Sequence, residues 1–426
     1  MICTQGDNDK EDDNVVDGAT TTRSVAPVGD ERDLKHATSS FATFVHLLKG
    51  NIGPGILNMP EAFMHAGLYV GLIGIPVIGA ICIHCMQLLL HSSKALCART
   101  GASALSYEGT AEVAFSSSPF RAVRRQAGAV RATMAAFLVV TQLGFCCVYF
   151  VFVPQNLYQA IECMTGGTGI SMLGYMIIML VPVLLLCYIP ELKHLTPISL
   201  TAGLLMTLGF IFTFYYLVRD LGSEGAVARP FFAGWMGLPL YFSSAIYAFE
   251  GIGLILPLEN KMRCPREFGG AFGVLNTGMA LVVVLFAAVG YFGYLQYGDL
   301  VQGSITLNLP PDETISLIHD LIISLMLAAL IPNICTVMLA ALIPNIGLFI
   351  NLVGAVSSST LAIIFPPIVH LVTIWPETGR YNYIAVKAVA LVAFGLLGFV
   401  TGSYASVVAI VNYLEHPHDP APLVCS

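Results

Sequence analysis

Long apolar stretches, separated by short polar segments, repeat along most of the chain. A run of about 20 apolar residues is long enough to cross a bilayer as a helix. The pattern predicts nine such spans, near 41–67, 69–90, 133–159, 171–189, 197–218, 232–257, 271–296, 355–374 and 383–413. The stretch 315–352 holds one or two further crossings, and two would each have about 17 residues, near the lower limit for spanning. The sequence therefore predicts an all-α polytopic membrane protein.

Composition supports the same class. Hydrophobic residues make up 56% of the chain and charged residues only 11%, whereas a soluble globular protein is about 25% charged. The first 40 residues differ, with nine Asp/Glu against four Lys/Arg and no apolar stretch. We expect a disordered cytosolic tail over 1–40, one transmembrane domain over 41–414 and a short C-terminal tail over 415–426.

The positive charges between the spans predict the orientation. If the N-terminus is cytosolic, twelve of these charges lie in cytosolic loops and only Arg219 and Arg229 lie outside. Such a bias toward one side is typical of cytosolic loops. The twelve are Lys94, Arg99, Arg121, Arg124, Arg125, Arg131, Lys193, Lys261, Arg263, Arg266, Arg380 and Lys387. The sequence therefore predicts a cytosolic N-terminus.

The first span is interrupted by GNIGPG, from Gly50 to Gly55. Backbone groups in hydrocarbon must be paired, so an unwound segment is tolerated only where it lines a cavity or is buried in protein. The pattern predicts half-helices over 41–49 and 56–67, with free N–H groups at Ile56 to Asn58 that attract a carboxylate. Unwound carbonyls beside them would bind an ammonium group, as in transporters. A simple packing kink is the alternative.

The sixth span carries a second interruption, Glu250-Gly251-Ile252-Gly253. An ionised carboxylate in mid-bilayer costs roughly 2.5–3.5 kcal/mol on insertion scales, so Glu250 should face a cavity or a partner. The first and sixth spans occupy matching positions in two five-helix halves, and broken helices at matching positions indicate a midplane binding site. A structural hydrogen bond from Glu250 to freed backbone N–H groups is the alternative, and the two roles are compatible.

Other kinds of chemistry have weak support. The eleven cysteines do not form a recognisable disulfide framework, and those inside apolar runs, such as Cys82, Cys85, Cys146 and Cys147, behave as small hydrophobic residues. We find no metal motif, nucleophile elbow or phosphate-binding loop. We therefore expect no enzyme activity, no cofactor, no metal and no nucleic-acid partner.

Five long motifs resemble the proton-coupled amino-acid transporter family, of the amino acid/auxin permease group in the amino acid–polyamine–organocation superfamily. They are HLLKGNIGPGILNMPEAFMHAG, TQLGFCCVYFVFVPQN, AIYAFEGIGLILPLENKM, GSITLNLP and IPNIGLFINLVGAVSSSTLAIIFPP. The resemblance implies a LeuT-type 5+5 inverted repeat with broken first and sixth helices plus an eleventh helix. It also implies symport of small neutral amino acids (glycine, alanine, proline) with protons, across a plasma membrane or a lysosomal/endosomal membrane.

The resemblance also implies roles for individual residues. His46 matches a histidine associated with proton coupling, and histidine exchanges protons near neutral pH. The remaining matches are positions that line the substrate site: Asn51, Ile52, Gly53 and Gly55 in the first span, Phe249, Glu250, Gly251 and Gly253 in the sixth, and Tyr149 in the third. Pro54 departs from relatives, which have Thr or Ser there, and so removes a hydroxyl.

The larger departure follows GSITLNLP, where relatives have a complete eighth helix, a loop and a ninth helix. Here only 315–352 remains, and LAALIPNI occurs twice within it, at 327–334 and 339–346. Two crossings in this stretch would place Arg380 and Lys387 in the cytosol and give eleven spans. A remodelled eighth helix also supports an alternative function, an amino-acid-binding sensor or scaffold with little or no transport.

Overall fold

The computed structural model describes residues 37–166, 169–187, 192–219, 229–309 and 345–415. In these ranges the chain is helical, and its β-type contact is an isolated bridge between Thr38 and Met262. The all-α prediction is confirmed for the described residues. The predicted tails over 1–40 and 415–426 lie almost wholly outside these ranges.

The described residues form fifteen α-helices, numbered in chain order. The first seven are α1 (Ser40–Asn51), α2 (Pro54–Leu57), α3 (Met59–Ala66), α4 (Leu68–Thr100), α5 (Tyr107–Ser116), α6 (Arg121–Arg124) and α7 (Ala127–Thr165). The next five are α8 (Met172–Cys187), α9 (Leu192–Arg219), α10 (Leu238–Ala248), α11 (Ile252–Lys261) and α12 (Val274–Tyr297). The last three are α13 (Ile346–Val353), α14 (Phe365–Ile374) and α15 (Tyr383–Glu415). Two π-helical segments, Gly354–Ser358 and Thr360–Ile364, join α13 to α14.

Within the described ranges, six helical stretches are long and apolar enough to cross a membrane. They are Leu68–Thr100, Ala127–Cys163, Leu238–Lys261, Val274–Leu300, Ile346–Ile374 and Arg380–Glu415. The predicted first span is the broken series α1–α3, and the predicted fourth and fifth spans correspond to α8 and α9. The chain is therefore a polytopic helical membrane protein. The 5+5 repeat and the eleven-span count stay predictions, since 310–344 lies outside the described residues.

Local sequence sets several helix ends. The Ser39 hydroxyl caps α1 by accepting a hydrogen bond of 3.2 Å from the Ala42 N–H, and the Asn345 side chain accepts from two N–H groups in the first turn of α13. Gly101 and Gly166 end α4 and α7 with φ of 73°. Glycine adopts this left-handed conformation without a steric penalty.

Two predicted boundaries are wrong. The segment 91–132 was expected to be a loop, but α4 continues to Thr100, α5 occupies Tyr107–Ser116 and α7 begins at Ala127. A membrane helix can continue through polar residues beyond the hydrocarbon. The end of an apolar run in the sequence therefore does not mark the end of the helix. Residues 346–352 were assigned to the ambiguous stretch, but they begin the same continuous span as 355–374 because Asn345 caps the helix there.

The positively charged loops gather at one end of the bundle. Thr38 forms backbone hydrogen bonds with Lys261 and Arg263, of 2.8 and 2.9 Å. Lys94 pairs with Glu259 at 3.8 Å, and the Arg99 guanidinium donates to the Thr373 carbonyl at 2.6 Å. These contacts join the start of α1 to the ends of α4, α11 and α14. We call this the basic end.

The opposite end is built from the other loops. Arg229 donates to the Leu295 carbonyl at 3.3 Å, the Leu68 N–H donates to the Pro230 carbonyl at 3.0 Å and the Gln159 amide donates to the Leu307 carbonyl at 3.3 Å. These contacts join the α3–α4 junction, the end of α7 and the end of α12. We call this the outer end. The two ends agree with the predicted separation of loop charges.

The broken and irregular helices occupy the centre of the bundle. In their most apolar stretches, 61% of residues in Leu238–Lys261 and 67% in Ile346–Ile374 are buried, against 17% in Arg380–Glu415. The π-helical segments pack beside α10 and α15, and Gly354 allows this because a Cβ there would overlap the Ser243 carbonyl. Helix α15 therefore lies at the periphery.

The cysteines fit the apolar interpretation in part. Cys82, Cys85, Cys146 and Cys147 are buried within α4 and α7, as predicted. Two others, Cys163 at the outer end and Cys264 at the basic end, are disulfide-bonded. The expectation that the cysteines form no disulfide framework is wrong for these two, which follow the apolar runs rather than lying inside them.

The fold predicts that the two chain termini lie on opposite sides of the membrane. Helix α1 starts at the basic end, whereas α15 starts beside α14 at that end and is 33 residues long, enough to cross a bilayer. In intact vesicles of one orientation, a protease should remove an epitope tag from one terminus only, and detergent should expose the other tag. Removal of both tags without detergent would contradict this topology.

Candidate functional site

The first helix break is present and lies between Asn51 and Pro54. Ile52 is extended, with φ −90° and ψ 101°, and Pro54 occupies the first position of α2, where its missing N–H is tolerated. The new helix therefore begins two residues earlier than predicted. The Ile56 N–H donates to the Gly53 carbonyl and the Asn58 N–H to the Pro54 carbonyl, both at 3.2 Å. The prediction of free N–H groups from Ile56 to Asn58 is therefore wrong for Ile56 and Asn58, because a tight turn pairs both.

The second break separates α10 from α11 over residues 249–251. Its backbone turns on itself: the Glu250 N–H donates to the Tyr247 carbonyl at 3.2 Å, and the Gly251 N–H to the Phe249 carbonyl at 2.8 Å. The two breaks are in direct contact, since a Cβ at Gly251 would overlap the Asn51 side chain. Both predicted interruptions thus meet at one place in the bundle.

A cavity of about 180 Å³ lies between the two breaks and α7. Its lining residues come from α1–α2, α7 and α10–α11. They are Gly50, Asn51, Gly53, Pro54, Gly55, Leu138, Thr141, Gln142, Phe145, Tyr149, Tyr247, Ala248, Glu250, Gly251, Gly253 and Leu254. An apolar cavity of about 150 Å³ is large enough for benzene. The cavity here therefore accommodates a small molecule.

Three buried polar atoms at this cavity have no hydrogen-bond partner among the described residues: Asn51 Oδ1, Glu250 Oε2 and the Tyr247 hydroxyl. The Asn51 amide N–H is engaged, because it donates to the Leu47 carbonyl at 2.9 Å. Asn51 and Glu250 thus offer acceptors, whereas Tyr247 offers a donor. A buried polar atom without a partner calls for an explanation, and a small ligand with donors and acceptors would satisfy all three.

Aromatic and aliphatic side chains form the rest of the wall. The rings of Phe145 and Tyr247 are tilted against each other with centroids 5.0 Å apart. The Tyr149 hydroxyl lies 2.9 Å from the position of a Cβ on Gly53, so glycine at 53 leaves room for that hydroxyl. Leu138 and Leu254 complete an apolar side. The cavity therefore has polar groups at the breaks and on α7, where Thr141, Gln142 and Tyr149 line it, and an apolar patch at Leu138, Phe145 and Leu254.

The structure brings most of the predicted site residues together at this cavity. Those that line it are Asn51, Gly53, Gly55, Tyr149, Glu250, Gly251 and Gly253. Ile52 is buried in the core but is not among the lining residues. Phe249 points toward Phe286, with ring centroids 5.1 Å apart. His46 lies on an exposed face of α1, away from the cavity.

Sequence reasoning missed several residues. Tyr247, Phe145 and Leu138 also line the cavity. Of these three, only Tyr247 could have been found from the sequence, because it lies within one helical turn of the second break. Glu61 in α3 was also missed. It is a buried carboxyl in the same broken span, and a carboxyl inside a span was itself a sufficient signal. In the described ranges no group of three or more His, Cys, Asp or Glu is arranged to hold a metal ion.

Comparison with known proteins identifies relatives along nearly the whole chain. The family model described as "Transmembrane amino acid transporter protein" matches residues 36–332 and 324–408. The two ranges overlap in the stretch where LAALIPNI first occurs.

Two curated relatives match over nearly nine-tenths of the chain. A Drosophila melanogaster protein named "Proton-coupled amino acid transporter-like protein pathetic" is 35% identical over 416 residues, covering 89% of this chain and 87% of the relative. A Caenorhabditis elegans protein named "Probable amino acid transporter skat-1" is 26% identical over 422 residues, covering 88% and 90%. These names place the chain with transporters and not with enzymes.

The contacts of the two central glycines predict different costs of substitution. A Cβ on Gly55 would lie 2.8 Å from the Ala248 backbone Cα, which cannot move aside, whereas a Cβ on Gly53 meets the end of the Tyr149 side chain. We expect Gly55→Ala to destabilise the protein by about 1–3 kcal/mol, the usual cost of overpacking, and Gly53→Ala to cost clearly less. Thermal unfolding of the two purified variants in detergent measures the difference, and equal melting temperatures would contradict it.

Proposed function

The chain belongs to the transmembrane amino acid transporter family, and from that membership we propose that it is a secondary active transporter for small neutral amino acids and protons. The single observation that carries the proposal is the cavity between the two helix breaks, with its unpartnered polar atoms. Discontinuous helices around a central site are the usual construction of substrate sites in transporters. The Drosophila relative's name, which specifies proton coupling, supports the proton part.

The polar atoms favour one orientation of the substrate. The α-ammonium group lies beside Asn51 Oδ1 and Glu250 Oε2, two acceptors that receive no well-aligned hydrogen bond from the described residues, although the Ser358 hydroxyl lies near the Glu250 carboxyl. The α-carboxylate lies near the Tyr247 hydroxyl and the turn at Gly53. This replaces the expectation of a carboxylate held by the N–H groups of Ile56 and Asn58, which are already bonded.

The apolar wall favours a small side chain. Leu138, Phe145 and Leu254 face the cavity from α7 and α11, and the volume of about 180 Å³ must hold the whole zwitterion. Glycine, alanine and proline fit this description. Tryptophan, with its indole ring, would have to displace the wall, and close-packed interiors resist such displacement.

We propose that the basic end faces the cytosol, since short positively charged loops are retained on that side. The outer end would then face the extracellular space or an organelle lumen, and either a plasma membrane or a lysosomal/endosomal membrane fits. The sensor alternative depends on 315–352, most of which lies outside the described residues. It becomes an outcome of the transport test: binding without flux would support a sensor.

The proposal predicts uptake that depends on a proton gradient. In proteoliposomes, radiolabelled proline should accumulate faster when the outside is acidic than when both sides are neutral. Unlabelled glycine, alanine and proline should compete, whereas tryptophan should not. Liposomes without protein are the control. Binding of proline without uptake would contradict transport, and equal uptake under both pH conditions would contradict proton coupling.

Glu250 and His46 should have separable roles. If Glu250 accepts a hydrogen bond from the ammonium group, Glu250→Gln loses about 1.5–3 kcal/mol, roughly a 10- to 150-fold rise in KM. If His46 on α1 exchanges the coupled proton, His46→Ala loses stimulation by outside acid and keeps its KM at neutral pH. Uptake measured from acidic to alkaline outside pH distinguishes the two variants. A wild-type pH profile in His46→Ala together with a lost profile in Glu250→Gln would reverse the assignment.

A further inference from the structure

A short loop at the outer end carries large apolar side chains on its surface. It consists of residues 230–237, with the sequence PFFAGWMG, and lies directly before α10. We call it the aromatic loop. Its Phe231 is 68% exposed, Trp235 79% and Met236 91%. Large apolar side chains exposed together in this way mark a surface that contacts a membrane or another protein.

The backbone of the aromatic loop is bonded to the junction between α3 and α4. The Leu68 N–H donates to the Pro230 carbonyl, and the Ala233 N–H donates to the Ala66 carbonyl, both at 3.0 Å. Gly67 lies between these two bonds with φ of 90°, and a Cβ there would lie only 2.7 Å from two backbone atoms of the loop. These contacts fix the loop against the bundle, so its exposed side chains have a set position beside α4.

The exposed face of α4 leads directly to the aromatic loop. Tyr69, Ile73 and Val77 follow one another at intervals of four residues, so they share one face of α4, and all three are exposed. Because α4 is long and apolar enough to cross a membrane, this face contacts lipid. Phe231 stacks on the Tyr69 ring, with centroids 4.2 Å apart and an angle of 13° between the planes. The loop thus continues the lipid-facing surface of α4 at its outer end.

The polar groups of the aromatic loop suit the depth of the lipid headgroups. The loop contains no charged residue, and the adjoining Arg229 is turned toward protein, where it donates to the Leu295 and Gln296 carbonyls. The N–H groups of Phe231 and Phe232 form no backbone hydrogen bond within the described ranges, so they need water. Hydrocarbon does not tolerate unpaired N–H groups. At the headgroups, by contrast, the apolar side chains reach the acyl chains while the backbone stays hydrated.

The chemistry and position of Trp235 favour a lipid interface over a protein partner. Its ring packs edge-on against Phe232, with centroids 5.2 Å apart, so the two rings form one cluster. Tryptophan combines a large apolar ring with a single N–H donor, and it is enriched where membranes meet water. Trp235 and Met236 come just before Leu238, the first residue of a stretch long enough to cross a membrane. The loop therefore lies at the level where this span leaves the hydrocarbon.

We propose that the aromatic loop is an interfacial anchor, with Phe231, Trp235 and Met236 seated among the lipids of the leaflet at the outer end. The loop also joins the outer halves of both broken spans. It is bonded to the end of α3 and leads into α10, and a Cβ on Gly237 would overlap the His65 carbonyl near the end of α3. The anchor therefore holds α3 and α10 at one depth in the bilayer. This inference concerns contact with lipid and does not depend on the transported substrate.

The first experiment uses tryptophan fluorescence, because the chain contains only two tryptophans, Trp235 and Trp375. Trp375→Phe leaves Trp235 as the single indole. The full chain is placed in vesicles whose phospholipids carry bromine, a fluorescence quencher, at a known position on the acyl chain. Bromine near the headgroup should quench Trp235 at least twofold more than bromine near the chain end. Iodide dissolved on both sides of the membrane should quench it clearly less than it quenches a tryptophan derivative free in water.

A variant with its single tryptophan deeper in the membrane serves as the control. It combines Trp235→Phe and Trp375→Phe with Val77→Trp, which places the indole on the exposed face of α4 about 12 Å along the helix from Tyr69. Bromine near the chain end should quench this variant most. If iodide quenches Trp235 as fully as the free derivative, the loop lies in water and the inference is overturned. Protection from both bromine and iodide would also overturn it, because a protein partner or a second copy would then cover the loop.

The second experiment tests how the anchor is held. Gly67→Ala places a methyl group against the loop backbone, so Trp235 should lose at least half of its quenching by bromine near the headgroup. Gly101→Ala is the matched control, since Gly101 also has a positive φ, of 73°, at the other end of α4, and its Cβ would meet nothing within 4 Å. It should leave Trp235 unchanged. If Gly67→Ala does not fold, Tyr69→Ala removes the stacking partner of Phe231 and should shift the quenching in the same direction. Unchanged quenching in the folded variant would overturn the inference.

Discussion

The need to pair every backbone N–H and C=O inside hydrocarbon governs this structure. A membrane helix meets that need by its own hydrogen bonds, so interrupting it leaves polar groups that lipid cannot satisfy. Both interruptions here lie at the centre of the bundle and are closed by short local turns, such as Ile56 N–H to Gly53 and Gly251 N–H to Phe249. The helices around them supply protein in place of lipid. The cavity is the space that remains between these two enclosed breaks and α7.

With the backbone N–H and C=O groups paired, the side chains determine the chemistry of each buried polar site. Asn51, Glu250 and Tyr247 each have a buried atom without a hydrogen-bond partner in the described ranges, and all three residues line one cavity. Glu61 differs, because Asn58 and the first turn of α13 surround its carboxyl. The first arrangement suits a ligand that comes and goes, whereas the second is a contact between segments of the protein itself. The two places share one broken span, α1–α3.

Small residues make this close arrangement possible. Gly55 lies against Ala248, Gly251 against Asn51 and Gly347 against Glu61, and in each case a Cβ would meet another segment. Membrane helices rely on such small residues because lipid provides no hydrophobic driving force between them. These contacts are therefore sensitive to substitution, because a single methyl group on any of these glycines would press against another segment of the bundle.

The sequence alone determined the membrane class, the positions of both breaks and the family, because hydropathy, glycine–proline interruptions and long motifs are local signals. It also determined which polar residues were candidates, including Asn51 and Glu250. Tertiary structure decided what each residue touches. Phe249 points to Phe286 and Ile52 into the core, Tyr247 and Phe145 join the cavity from different helices, and Glu61 meets α13 across nearly 300 positions of sequence. Such contacts depend on how distant helices rotate and pack against one another, and no local pattern along the chain records that rotation.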